Sequence, residues 1–179
     1  MMEKLVISGN GKNRKEYGMT PEEWLNKGIV LDRLEKYKDA LKAYDKALEI
    51  NPKYAKAWNN KGIVLYKLGK YEDALKAYEN ALEINPKSTK AWYNIGTALI
   101  ELGRYEDALK AYEKAIEINP KFAEAWNNKG VVLHMLGRYE DALKAYDKAL
   151  EINPEYTRAL KNKDVVLYRL GRYENAKGL

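Results

Sequence analysis

Few side chains in this sequence are equipped for covalent or acid–base chemistry. There is one histidine, His134, and no cysteine, which removes thiolate nucleophiles, disulfides and thiolate metal sites, and denies a paired-histidine mechanism or a His-cluster metal site its second member. No serine or cysteine stands at a position matching His134, so the imidazole is read as a wall or surface residue. The carboxylates pair with lysines at helical spacing: Glu72 with Lys76, Glu106 with Lys110, and Glu140 with Lys144. Such i,i+4 pairs on exposed faces contribute about 0.2 to 0.5 kcal/mol each and are scaffolding. Gly9, Gly11 and Gly18 are not followed by Gly-Lys-Ser/Thr, so they do not form a phosphate loop. No cofactor, metal or catalytic residue is expected, and the chain reads as non-enzymatic. What remains is amide chemistry. Asn26, Asn60, Asn94, Asn128 and Asn162 recur at a constant interval, and each amide offers both a donor and an acceptor.

That interval organises the whole chain. Trp24, Trp58, Trp92 and Trp126 share it, as do Pro52, Pro86, Pro120 and Pro154, the series Ala40, Ala74, Ala108, Ala142, and the series Tyr44, Tyr78, Tyr112, Tyr146. A period of 34 residues divides the chain into repeats 21–54, 55–88, 89–122 and 123–156, with a partial, degenerate fifth over 157–179. Within the second repeat, Trp58, Leu65 and Leu68, then Tyr71, Ala74, Leu75, Tyr78, Ala81 and Leu82, fall at spacings of three, four and seven. The spacing predicts two amphipathic helices per repeat. Gly69 suits the left-handed residue that closes the first, and Asn85-Pro86 stops the second. Thr20-Pro21-Glu22-Glu23 supplies a capping box ahead of the array.

Trp58, Gly62, Leu65, Ala74, Tyr78, Ala81 and Pro86, with the same types at matching offsets in repeats one, three and four, resemble the signature of the tetratricopeptide repeat family. One departure recurs: Lys27, Lys61 and Lys129 stand three after the tryptophan, where the family usually has an apolar residue, and only Ile95 conforms. Those lysines are expected to lay their stems on the packed face and carry the amine outward. The resemblance implies an all-α, right-handed superhelical solenoid whose repeats bury one another's faces. It further implies a concave face lined by the second, fifth, sixth, ninth, twelfth and thirteenth positions of each first helix. The tyrosines are repeat-locked, including the series Tyr37, Tyr71, Tyr105, Tyr139, Tyr173, so core packing accounts for them without base-stacking platforms.

The second helices are near copies, with Tyr-Glu-Asp-Ala-Leu-Lys-Ala-Tyr at 71–78, 105–112 and 139–146, whereas the implied groove positions vary. The fifth reads Leu25, Asn59, Tyr93, Asn127, Lys161; the twelfth reads Asp32, Tyr66, Ile100, His134, Tyr168; the thirteenth reads Arg33, Lys67, Glu101, Met135, Arg169. A uniform scaffold with a non-uniform lining suits an asymmetric partner, although drift at exposed sites also produces variation. At the sixth position the asparagines form a ladder. It suits either the reading of an extended peptide backbone or the bracing of adjacent repeats, and similar ladders line grooves of other members of the family. The family's carboxylate clamp for chaperone C-termini does not fit, because the ninth positions are Ile29, Ile63, Thr97, Val131 and Val165 and no sixth position is arginine. Apolar ninth positions beside Leu25, Tyr66, Tyr93 and Met135 suggest a ligand with hydrophobic anchors. Arg33, Lys56, Lys67, Lys90, Arg158, Lys161 and Arg169 outnumber Glu22, Asp32, Glu101 and Glu124 along the groove, so some acidity in the ligand would help.

The function expected is a protein-interaction scaffold that binds an extended peptide in its concave groove. The alternative is a self-assembling scaffold, through the C-terminal edge or through the N-terminal tail in a neighbour's groove. Nucleic-acid binding rests only on the net charge of +6. Residues 1–19 read as a flexible basic tail, in which Leu5-Val6-Ile7 has too few consecutive apolar residues for a signal-peptide core or a membrane span but suits lying in a groove. The chain is read as cytoplasmic, with no membrane partner. At the other end Leu160 and Asp164 replace the signature tryptophan and glycine and the repeat is incomplete, so this end is expected either to self-associate or to have continued into more chain. The absence of cysteine and glutamine, with many Lys, Glu and Tyr residues, leans toward a thermophilic source.

Overall fold

A computed structural model describes residues 18–171. Among them are nine helices and no strand: α1 (Pro21–Arg33), α2 (Tyr37–Ile50), α3 (Ala55–Lys67), α4 (Tyr71–Ile84), α5 (Thr89–Glu101), α6 (Tyr105–Ile118), α7 (Ala123–Met135), α8 (Tyr139–Ile152) and α9 (Thr157–Arg169). Each odd-numbered helix up to α7 packs on its successor as a hairpin, and each hairpin packs on the next. The result is an all-α solenoid. Residues 1–17 and 172–179 lie outside the described part, and with them Leu5-Val6-Ile7, Gly9, Gly11 and Tyr173.

One glycine and one tyrosine close each hairpin. A Cβ placed on Gly28, Gly62, Gly96 or Gly130 would come 2.4, 2.5, 2.8 or 2.5 Å from the ring of Tyr44, Tyr78, Tyr112 or Tyr146, nearer than real side chains approach. Only hydrogen fits at those positions, so the tyrosine rings lie flat on the first helix and are fully buried beside Ala40, Ala74, Ala108 and Ala142. Burial pushes these four hydroxyls well above the usual tyrosine range.

Successive hairpins are joined by two further devices. The indole N–H of Trp58, Trp92 and Trp126 donates to the carbonyl of Pro52, Pro86 and Pro120, at 2.9, 3.1 and 2.9 Å, tying each first helix to the turn that precedes it. Lys61 and Lys129 cross the indoles of Trp58 and Trp126 at 5.2 and 5.5 Å and end on Asp45 (2.7 Å) and Glu113 (3.0 Å) of the preceding repeat's second helix. Lys163 reaches Asp147 in the same way. The departure from the family pattern at this position is therefore a cation–π and ion-pair staple between repeats, more than a snorkelling stem.

Local signals act as anticipated at the helix ends. Thr20 Oγ accepts from the Glu23 N–H (3.2 Å) and the Glu23 carboxylate accepts from the Thr20 N–H (2.7 Å), completing the capping box. Gly69, Gly103, Gly137 and Gly171 follow their first helices at φ between 67° and 73°; in the first repeat Glu35 is held at φ 57° instead, a conformation costly for a residue with a Cβ. On the convex surface Lys110 and Lys144 reach Asp107 and Asp141, three residues back, and not the glutamates four back. Those aspartates already hold Arg104 and Arg138 at 2.8 Å. Two cations beside one carboxylate keep each of these exposed aspartates below the usual range.

Candidate functional site

The first helices α1, α3, α5, α7 and α9 line one side of the solenoid, and their side chains meet across repeat boundaries with a consistent offset. Asn94 Nδ2 donates to Asn59 Oδ1 at 3.1 Å, Asn128 Nδ2 to the Tyr93 hydroxyl at 3.0 Å, and Asn162 Nδ2 to Asn127 Oδ1 at 2.9 Å. Every bond spans 35 residues, one repeat plus one residue, so the sixth position of a repeat meets the fifth position of the repeat before it. Asn127 also donates to Asn128 (3.0 Å) and is fully buried, so it acts through Asn128 and Asn162 and does not face the groove. Asn128 lies 3.4 Å from the Tyr112 hydroxyl, which meets Thr97 Oγ at 3.1 Å. The network thus links the ladder to the hairpin tyrosine. Burial also raises the Tyr93 hydroxyl pKa, and the Asn128 amide partly offsets this by donating to it; its ring packs 5.0 Å from Phe122.

The first two asparagines are different. Asn60 meets the fifth position of repeat one, which is Leu25, a side chain with no acceptor, and no described residue stands in the corresponding place before Asn26. Among the described residues neither amide has a hydrogen-bond partner, and both line a cavity of about 400 Å³ at the head of the groove. The same cavity takes Asn59, Lys56, Lys90, Leu25 and Ile29 from the first helices, with Glu22 on its rim. Asn59 spends its oxygen on Asn94 and keeps its N–H groups for the cavity. Tyr54, Asn85 and Ser88, from the turns between repeats and the end of α4, also line it. Sequence reasoning about the first helices missed these, yet a signal existed: the last position of each repeat reads Tyr54, Ser88, Phe122, Tyr156, as variable as the groove positions.

A second ladder runs along the C-terminal turns of the same helices. Lys67 binds Asp32 at 2.7 Å and Tyr66 donates to Glu101 at 3.0 Å, again thirteenth position to the preceding twelfth. Burial and the Glu101 carboxylate push the Tyr66 hydroxyl up to about 12. The next pair of positions, Ile100 and Met135, is apolar, with Met135 exposed. The last is His134 and Arg169. Burial and the Arg169 cation hold His134 below its usual range, and its ring lies 5.6 Å from Tyr139. Lys161 stands exposed on α9, away from the cavity. Of the fourteen side chains expected to line the groove, Asn26, Asn59, Asn60, Lys56 and Lys90 converge on one cavity, Tyr66, Lys67, Tyr93, Asn94, Asn128, Asn162, His134 and Lys161 stand outside it along the first helices, and Asn127 is buried beneath them. Among the described residues no group of three or more His, Cys, Asp or Glu is placed to hold a metal ion, and no helix is long and apolar enough to cross a membrane.

A model of the tetratricopeptide repeat family matches residues 25–89, 61–121 and 93–157 in overlapping registers. No curated protein matches the chain by sequence. Among solved structures, YrrB, described as a tetratricopeptide repeat protein with an unusual peptide-binding site, is 27% identical with a TM-score of 0.71, over 92% of this chain and 83% of that one. MamA from Desulfovibrio magneticus RS-1 is 21% identical, TM-score 0.81, over 90% and 91% of the two chains. Pseudomonas aeruginosa PilF is 22% identical, TM-score 0.81, over 88% of this chain and 72% of that one.

Proposed function

Since the chain belongs to the tetratricopeptide repeat family, we propose that it is a non-enzymatic scaffold holding an extended segment of a partner protein in its concave groove, chiefly at the head formed by repeats one to three. The observation that carries this reading is the pair of unengaged amides, Asn26 and Asn60, in the same cavity as Lys56 and Lys90. A polar side chain left unpaired beside water is ready to exchange its hydration for a peptide N–H and C=O. Leu25 and Ile29 give such a ligand an apolar anchor, and the two lysines favour a nearby acidic residue. YrrB, which is described as having a peptide-binding site, supports a protein or peptide ligand in kind. The groove beyond Asn94 serves mainly to set the curvature of the array, because its amides are engaged between repeats.

The test is a displayed library of random peptides panned against the parent and against Asn26→Ala/Asn60→Ala, with folding verified by circular dichroism. Selected peptides carrying an apolar residue near an acidic one, and lost with the double variant, are the expected result. Peptides retained equally by both proteins would remove the head of the groove from consideration. A second reading, self-assembly, has its own observation: Leu160 and Val165 stand exposed on α9, apolar side chains of the kind that stacked repeats bury against one another. Solution mass measured over a hundredfold concentration range distinguishes it, since peptide binding leaves the mass of the free protein unchanged.

A further inference from the structure

Charges on the lip of the groove follow the repeat. Glu22, Lys56 and Lys90 occupy the second position of α1, α3 and α5, are exposed, and line the cavity at the head of the groove. Glu124 holds the same position in α7, so two successive lysines stand between two carboxylates. Among the described residues neither Glu22, Lys56 nor Lys90 has an ion-pair or hydrogen-bond partner, whereas Lys61, Lys67 and Lys129 are spent on Asp45, Asp32 and Glu113 of the preceding repeat. Each of these charges is followed four residues later by a ladder asparagine: Glu22 by Asn26, Lys56 by Asn60 and Lys90 by Asn94. Four residues is about one helical turn, which sets one charge beside one amide in every repeat.

We infer that the segment held there is a polyproline II stretch charged at every third residue, with a basic residue opposite Glu22 and acidic residues opposite Lys56 and Lys90; this rests on the groove reading above and specifies its ligand. Spacing selects the conformation. Successive first helices are in contact, which sets their axes about 8 to 10 Å apart. A polyproline II chain advances about 3.1 Å per residue with three residues per turn, and so returns a side chain to the same side about every 9.3 Å. A β-strand does so about every 6.6 or 13 Å and falls out of step within one repeat. An α-helix takes about six or seven residues to cover the distance, and its backbone groups are already paired. The polyproline II backbone has no internal hydrogen bonds, so one peptide unit in three is open to Asn26 and to Asn60, whose amides both give and accept. Leu25 and Ile29 take an intervening apolar side chain, and intervening prolines lower the ordering cost of binding. The charges also fix the register. Sliding the segment by one repeat sets a like charge against Glu22 in one direction, or against Lys56 and Glu124 in the other, and either is penalised.

The spacing of acidic residues in selected peptides tests this directly. The random displayed library is panned against the full chain, against Lys56→Glu/Lys90→Glu and against Asn26→Ala/Asn60→Ala, all altered at unpaired side chains and checked for folding by circular dichroism. The expected peptides from the parent carry acidic residues three apart with proline enriched between them, and the lysine variant selects basic residues at the same spacing. Inserting one residue between the two acidic positions of a selected peptide should weaken binding about tenfold, read by fluorescence anisotropy of the labelled peptide. Peptides that depend on Asn26 and Asn60 but space their acidic residues by two, four or seven, or at no fixed interval, overturn the inference and leave the groove reading standing; spacings of two or four would assign the groove to a strand and of seven to a helix. A spacing of three that stays acidic in the lysine variant overturns it as well. A library that yields no peptide dependent on the two asparagines removes both the inference and the groove reading.

Discussion

The two halves of the groove are built from the same helix hairpin and do opposite things with the same residue. In repeats three to five the ladder asparagines are spent on the architecture: Asn94, Asn128 and Asn162 each bond the preceding repeat. In repeats one and two, Asn26 and Asn60 are left free in a cavity. One side chain, Leu25, accounts for much of the difference, because it stands where Asn59, Tyr93 and Asn127 present an oxygen to the next repeat. A repeat array thus leaves amides unengaged at one end when an acceptor is removed from the scaffold, and that is the end proposed above to take the ligand. No special ligand residue has to be added.

If that comparison is right, damage to the hairpin lock should be large and alike at both ends, and damage to the ladder should not. Tyr78→Ala and Tyr146→Ala each empty a fully buried ring, and each is expected to cost about 3 to 5 kcal/mol, read from urea unfolding. A much smaller loss at either end would mean that the hairpins are not equivalent. Asn127→Ala strips partners from Asn128 and Asn162 inside the solenoid and should cost about 1 to 3 kcal/mol. Asn60→Ala, with no bond to lose, should stay within about 0.5 kcal/mol of the parent, and similar losses for the two would erase the distinction between the halves.

Two smaller effects refine it. Glu35→Gly places in the first repeat's hairpin turn the glycine that the other turns already have at their left-handed position and should stabilise by about 1 kcal/mol, while leaving the proposed peptide binding unaltered. The smallest effect is a pH dependence confined to the rear half. Burial and Arg169 depress His134 in the folded state, so below its usual range, near 6.5, the unfolded chain takes up a proton that the folded one resists. Stability should fall as pH drops through that region, and His134→Gln should remove this part of the slope in thermal unfolding measured between pH 7.5 and 5. An unchanged slope in the variant would show that other groups carry it.

Helices, turns and the scaffold core were legible in the sequence because each depends on residues close together along the chain or repeated at a fixed period. Gly69 and Asn85-Pro86 mark helix ends by backbone geometry alone, the capping box at Thr20 lies within four residues, and the recurrence of Gly62 with Tyr78 records a contact inside one hairpin. The groove positions were legible as a set of varying residues, but their division into engaged and free was not. That division depends on the stagger between successive first helices, which places residue n beside residue n + 35 and not beside its own equivalent one repeat away. Packing of tryptophan, lysine staple and proline turn between hairpins sets the stagger, and only with it in hand does Leu25 become the reason Asn60 is free. The sequence by itself determined which amides exist and how often they recur; the tertiary structure decided which of them the protein keeps for itself, because a hydrogen bond needs an acceptor at 3 Å and periodicity says nothing about what stands across a repeat boundary.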